Sequence, residues 1–326
     1  MRNVPYSLSS VAVDPDFAHD VVMGLSAPEK HLNSRWFYDA QGSELFRQIM
    51  HLDEYYLTRA EYNALDRNKS RIISRFAEGV ESFRLLEFGA GDGLKTKVLL
   101  REALSLGFNF SYYPIDISRD ALAGLTNSLQ AEMPELPITP IHADYFQALE
   151  DLPFHPAERT VVLFLGSNIG NFTQPEAVRF LTEVNQRLHP GDLIFIGMDL
   201  KKDPNRILRA YDDSKGITRE FNLNLLRRMN RELGADFDEK SFSHLATYDP
   251  VSGETKSFLI SRRDQKVHFH KLGFVAHFRA WEPVWLELSQ KYDLAMAETL
   301  ARESGFHIRS HYYDVREEFL NTLWMR

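Results

Sequence analysis

The chain has 326 residues, 44% hydrophobic and 26% charged, with 38 basic and 46 acidic side chains, a net charge of −8 and no cysteine. This is a globular composition with ample core for one large domain or two smaller ones, and it excludes disulfides, a thiolate metal site and a thiol nucleophile. No basic run exceeds two residues, no continuous apolar stretch marks a secretion signal, and none approaches the ~18 apolar residues of a spanning helix, so a cytoplasmic protein with neither nucleic-acid nor membrane partners is expected.

Residues 16–30 carry an amphipathic pattern that predicts a short helix ending near Pro28. The segment 35–65 is rich in aromatic side chains, with Trp36, Phe37, Tyr38, Phe46, Tyr55 and Tyr56, and is expected to break at a Gly42-Ser43 turn. Trp36, Phe37 and Phe46 are expected in a core. Of the Tyr55-Tyr56 pair, one ring is expected in the core and one hydroxyl in a pocket, because a buried phenol needs a partner. Residues 61–80 then read as a helix leading into LLEFGAGDGLKTKVLL, residues 85–100.

That stretch is strand, tight loop, helix. Gly89, Gly91 and Gly93 permit sharp turns and leave no Cβ between the loop and a flat ligand. The third glycine of a dinucleotide fingerprint would fall at position 94, which is Leu94. The pattern is instead acid-x-G-x-G-x-G with Glu87 closing the strand, which suits a ligand without phosphates, S-adenosylmethionine. Asp116 lies 116 − 93 = 23 positions beyond Gly93, at the end of the apolar run FSYYPIDIS, where a carboxylate can accept both ribose hydroxyls. A third run, LPITPIHADYF, places Asp144 toward the adenine amino group. Lys95, usually a solvated residue in such a position, is able to reach the methionyl carboxylate. These features together predict a Rossmann-like methyltransferase.

Ser118 is a plausible cap for a helix over 119–132. TVVLFLGSNIGNF supplies a central buried strand and, at its carboxyl end, a polar loop with Gly166, Asn168 and Asn171. The two amides are ordinary turn residues, or ligands for a substrate's carboxylate or amine. A helix over 174–188 and the strand LIFIGMDL complete another β/α unit. After Leu200 the alternation stops: helices are expected over 204–211 and 217–233, a hairpin over 242–249 and 254–261, a strand VHFHKLGF, and the extended WEPVWLELSQKY. A helix over 294–304 and two strands, HIRSHYYDV and EFLNTLWMR, resume the first pattern, so the intervening block reads as an insertion. His268 and His270 alternate without a third nearby ligand and are expected on a strand surface, with no metal.

From about Asp20 to the end the chain resembles the histidine-specific methyltransferases that trimethylate the α-amine of L-histidine to hercynine in ergothioneine biosynthesis. The resemblance rests on WFYDAQGSELF, LDEYYLTRAE, LLEFGAGDGLKT, FLGSNIGNF, DLKKDPNRILRAYDD, FNLNLLRRMNRELGADFD and, more loosely, ELSQKY. It implies a class I S-adenosylmethionine-dependent α/β core, residues 61–201 plus 292–326, and an α+β substrate-binding domain, residues 1–60 plus 202–291, with the amino acid held between them. It further implies that Tyr55, Asn171 and Tyr211 hold the carboxylate and amine, that Tyr38 lies near the amine, and that Glu287 and Ser289 grip the imidazole. Tyr38 and Asn171 are expected to orient the amine for in-line displacement, with Gly166 and Asn168 beside the substrate. A monomer is expected.

Three positions depart from the family: Asn168 stands where many relatives have threonine, Ser257 where they have methionine near the substrate ring, and Trp281 where they usually have glycine. An enzyme for another amino acid, such as tryptophan, or for a histidine derivative is therefore the alternative. A methyltransferase-like binding subunit is disfavoured because Glu87, Asp116 and Asp144 are all present, and a nucleic-acid methyltransferase is disfavoured by the net charge.

Overall fold

In the computed structural model, which describes residues 13–143, 145, 147–148 and 158–326, the chain starts with α1 (Pro15–Ser26), capped by the Asp14 carboxylate on the amides of Asp16 and Phe17. It ends two residues short of Pro28. Next comes α2 (Ala40–Met50), which runs straight through Gly42 and Ser43, where the sequence predicts a turn. The reason is local. Asp39 caps the helix by accepting from the Gly42 amide at 2.7 Å, and a Cβ on Gly42 would lie 1.8 Å from the Phe37 carbonyl oxygen. The glycine is there for close approach rather than for a break.

The helix α3 (Leu57–Phe76) begins and ends about four residues before the predicted one, and Gly79 turns the chain at φ 76° soon after it. Then β1 (Ser82–Phe88), α4 (Thr96–Ser105), β2 (Asn109–Asp116), α5 (Arg119–Glu132), β3 (Ile141–His142), β4 (Arg159–Phe164), α6 (Gln174–Arg187) and β5 (Leu193–Asp199) alternate as expected. The Ser118 hydroxyl caps α5, and Thr173 with Glu176 forms a reciprocal capping box on α6. Every residue of β5, and every residue of β1 after Ser82, is buried, as strands covered on both faces must be.

The inserted block carries α7 (Pro204–Tyr211), α8 (Ile217–Leu233), β6 (Phe242–Tyr248), β7 (Glu254–Ser261), β8 (Gln265–Phe269), β9 (Phe274–Phe278) and β10 (Pro283–Gln290). The run VHFHKLGF is not one strand. Gly273, at φ 61°, reverses the chain, so β8 and β9 pair as an antiparallel hairpin. His268 and His270 are exposed on it. The chain closes with α9 (Leu294–Glu303), β11 (His307–Tyr313) and β12 (Phe319–Met325).

These elements form two compact units. One comprises the described residues up to Tyr55, with Pro204–Asp249 and Thr255–Glu287; the other comprises Tyr56–Asp203, Pro250–Glu254 and Leu288–Arg326. The first unit contains the β10-β7-β6 sheet and the β8-β9 hairpin around a core with Phe17, Phe37, Leu226, Phe269 and Leu286. The second contains a seven-stranded sheet in the order β11-β12-β5-β4-β1-β2-β3, parallel except for β12, which runs against both neighbours. Its strand order reverses direction between β1 and β4, so the carboxyl ends of these two strands open the crevice where such sheets bind ligands. Among the described residues no helix is long and apolar enough to cross a membrane.

Phe195 in β5 is fully buried against the rings of Phe76 and Tyr312. Phe195→Ala is expected to lower the unfolding free energy of this unit by about 3–5 kcal/mol, seen as an earlier denaturant midpoint. Val275→Ala on the exposed hairpin should change it by about 0.5 kcal/mol or less.

Candidate active site

The crevice begins where β1 ends. Gly89, Gly91 and Gly93 take φ values of 68°, 54° and 66°, all left-handed. A Cβ on Gly89 would lie 2.8 Å from the Tyr145 hydroxyl and 3.3 Å from the Asn168 amide nitrogen, whereas among the described residues nothing stands within 4 Å of one on Gly91. The loop is therefore closely packed at Gly89. Asp116, at the end of β2, accepts from the Gly91 amide at 3.0 Å and from the Ser118 amide at 2.9 Å, so its carboxylate stands at the loop's edge.

Glu87 lies differently. It is buried, with one oxygen accepting from Thr96 Oγ1 at 2.5 Å and the other from the Tyr112 hydroxyl, so it braces the loop from within. Burial pushes its carboxyl up to about 7 despite those two donors. Lys95, just ahead of α4, places Nζ 2.6 Å from the buried Glu61 carboxylate. Asp144 lies outside the described residues.

The loop after β4 forms the opposite wall. Gly166 and Ser167 are both left-handed, at φ 79° and 57°, and a 3₁₀ turn follows from Asn168 to Asn171. The Gly166 amide donates to both oxygens of Glu61 at 2.9 Å. Asn168 stands beside Gly89, at the glycine loop itself, while Asn171 is exposed at the far end of the turn. Beside this loop, the fully buried Asp199 carboxylate receives Lys291 Nζ at 3.0 Å, Lys202 Nζ and the Tyr56 hydroxyl at 2.8 Å. Burial alone would raise its carboxyl, but the two lysines outweigh that and hold it below the usual carboxylate range. Lys291 also donates to Ser289 Oγ at 2.8 Å, and the Asp199 amide donates to Ser167 Oγ at 3.0 Å. Tyr56 is thus the buried member of the tyrosine pair, with its hydroxyl satisfied.

In the other unit, Tyr38 is 45% exposed and its ring meets Phe46 edge-on at 5.5 Å; Phe46 in turn meets Tyr55 at 6.2 Å. The two tyrosines therefore flank one phenylalanine. Asp39 anchors this corner through Asn224 at 2.8 Å and Arg231 at 2.5 Å. A 2.6 Å bond from Ser214 to Glu54 ties the residue before Tyr55 to the segment after Tyr211, which is itself buried. Glu287 is half-buried on β10, its carbonyl accepting from the Trp285 indole at 2.9 Å. Ser257 is buried on β7, and its hydroxyl has no hydrogen-bond partner among the described residues. Trp281 is 72% exposed at φ 68°, the left-handed region that favours glycine.

Glu61, Asp199, Lys202 and Lys291 escaped the sequence reading, although Glu61 ends LTRAE and Asp199 ends an apolar strand just as Asp116 does. Among the described residues no group of three His, Cys, Asp or Glu side chains is arranged to hold a metal ion.

The profile of the histidine-specific, S-adenosylmethionine-dependent methyltransferases matches residues 17–326. The chain belongs to that family. Among its relatives, "Histidine N-alpha-methyltransferase" of Mycolicibacterium smegmatis is 38% identical over 307 residues, 94% of each chain. "Ergothioneine biosynthesis protein 1" of Neurospora crassa is 30% identical over 85% of this chain and 31% of its own length. "L-tryptophan methyltransferase trpM" of Psilocybe serbica is 25% identical over 96% of this chain and 94% of its own. The methyltransferase uses S-adenosylmethionine, and the left-handed glycine loop and the adjoining Asp116 carboxylate suit that cofactor.

Two outcomes follow for this methyltransferase. Gly89→Ala drives a methyl group into Tyr145 and Asn168, and calorimetry should find S-adenosylhomocysteine binding weakened at least about 100-fold, or about 2.7 kcal/mol, with the circular dichroism unchanged. The raised Glu87 carboxyl favours folding fully below its ordinary value of 4.5, and this contribution is lost as pH rises through about 7. The thermal midpoint should therefore fall across that window, and less steeply in Glu87→Gln.

Proposed function

We propose that the enzyme transfers methyl groups to the α-amine of L-histidine, three in succession, to give hercynine for ergothioneine biosynthesis. The observation that carries this reading is the 38% identity, across nearly the whole of both chains, to a histidine N-alpha-methyltransferase. Tyr55, Asn171 and Tyr211 are assigned to the amino acid's carboxylate and amine, Glu287 and Ser289 to its imidazole, and Gly166 and Asn168 to the wall beside it. Gly89, Gly91, Gly93, Lys95, Asp116 and Asp144 are assigned to the cofactor, with Glu87 bracing their loop. Residues 61–201 with 292–326 form the proposed cofactor domain, residues 1–60 with 202–291 the proposed substrate domain, and the working unit is a monomer.

When bound, S-adenosylmethionine supplies a sulfonium-activated methyl group, so the protein's task is positioning. The amine must be neutral with its lone pair in line, and Tyr38 and Asn171 orient it. Before each transfer the ammonium gives its proton to solvent or through the Tyr38 hydroxyl, which leaves the lone pair free for the methyl group that the bound donor would supply. Holding the reactants in line is worth several kcal/mol, up to about 7–11 in well-oriented systems. The aromatic faces of Tyr38, Phe46 and Tyr55 also favour a quaternary ammonium product, whose attraction to each ring is about 0.5–1 kcal/mol at exposed sites.

The partnerless hydroxyl of Ser257 supports a second reading, in which another amino acid is methylated; the tryptophan methyltransferase among the relatives makes an indole the first alternative. Purified enzyme incubated with S-adenosylmethionine and the twenty amino acids, followed by mass spectrometry, separates the two. Histidine gaining three methyls, with at least about tenfold loss of kcat/KM in Glu287→Ala, supports the first reading, since losing one hydrogen bond to a charged group costs about 1.5–3 kcal/mol. A mass gain on a different amino acid, with histidine unmodified, overturns it.

A further inference from the structure

Glu61 is 1% exposed, four residues into α3, and no part of the chemistry above employs it. Its carboxylate nevertheless stands at the junction of the two walls of the crevice. On one side it takes the ammonium of Lys95, which leads from the glycine loop into α4, at 2.6 Å. On the other it takes the Gly166 amide, at the head of the loop after β4, at 2.9 Å to each oxygen. The two groups are themselves close, since a Cβ on Gly166 would lie 3.0 Å from Lys95 Nζ.

The surroundings are shaped to this carboxylate. Gly197 in β5 leaves the space it fills, because a Cβ there would lie 2.2 Å from Oε1. The Asn321 side chain on β12 donates to the same oxygen at 3.3 Å. A buried acid gripped by one cation, one backbone amide and one side-chain amide has little freedom to move. A displacement of Lys95 therefore reaches the Gly166 amide through it, and a displacement of Gly166 reaches Lys95.

We propose that Glu61 is a positioning residue that couples the two halves of the site, so that filling the glycine-loop side sets the Gly166 loop for the amino acid and the reverse. The proposal rests on the assignment of Lys95 to the cofactor side and Gly166 to the amino-acid side. Such coupling is reciprocal: the factor by which one ligand tightens the other is the same in both directions.

The test is calorimetry on the full chain with S-adenosylhomocysteine and histidine, each titrated alone and in the presence of the other. If mass spectrometry identifies a different acceptor, that amino acid replaces histidine, so an error in substrate and an error in coupling are separate results. In the wild type each ligand should tighten the other about fivefold or more, the low end of ordinary allosteric coupling. In Glu61→Gln that factor should fall to within about twofold of unity, with each ligand still binding alone. Asn321→Ala removes the side-chain donor to the same carboxylate oxygen and serves if Glu61→Gln fails to fold; it should lower the coupling in the same direction. A wild type without coupling, or variants that weaken both ligands while leaving their mutual factor intact, would show Glu61 to be a structural strut and overturn the proposal.

Discussion

A carboxylate without exposed surface stays ionised only where cations and donors meet it, and Asp199 is met by Lys202, Lys291 and the Tyr56 hydroxyl. Breaking such a group by removing one partner typically costs about 3–5 kcal/mol. Its position makes it matter more than that figure suggests. Asp199 ends β5, its amide holds Ser167 at the turn of the β4 loop, and Lys291 passes the connection on to Ser289. The turn after β4 and the end of β10 are fastened to one buried charge cluster.

The glycine loop is held by a different device. Its left-handed residues need no side chains of their own, so their stability comes from what lies around them: Asp116 on the Gly91 amide, Ile115 accepting from the amides of Gly89 and Ala90, and Glu87 bracing α4 and β2 beneath. The division is consistent with methyl transfer from an already activated donor. Such a reaction asks the protein chiefly to hold its reactants in line.

Much of this was legible from residue order. The acid and three glycines after an apolar run, Asp116 at the end of the next strand, the Ser118 cap and the break in β/α alternation after Leu200 each report local chemistry or periodicity, and the elements appear where those signals place them. Gly42 misled for a reason equally local in appearance. A glycine signals a turn when its conformation is what the chain needs, but here the chain needs its missing Cβ, to admit the Phe37 carbonyl, and only the packed structure reveals which. Likewise Gly273 within VHFHKLGF is read as a strand residue until the pairing of β8 with β9 shows a reversal.

The charged groups that organise the site divide along the same line. The sequence by itself determined the kind of fold, the glycine loop with its acids and the family, because each depends on neighbours a few residues apart or on patterns extending along the chain. Only the tertiary structure decided that Glu61 meets Lys95 and Gly166, that Asp199 meets Lys291 and Tyr56, and that Tyr38 and Tyr55 share Phe46. Glu61 and Gly166 are 105 positions apart, and Tyr56 and Asp199 are 143 apart. No local propensity encodes such pairs; they exist because the sheet order and the helices laid across it bring distant side chains into a space where an unpartnered charge would be too costly to bury.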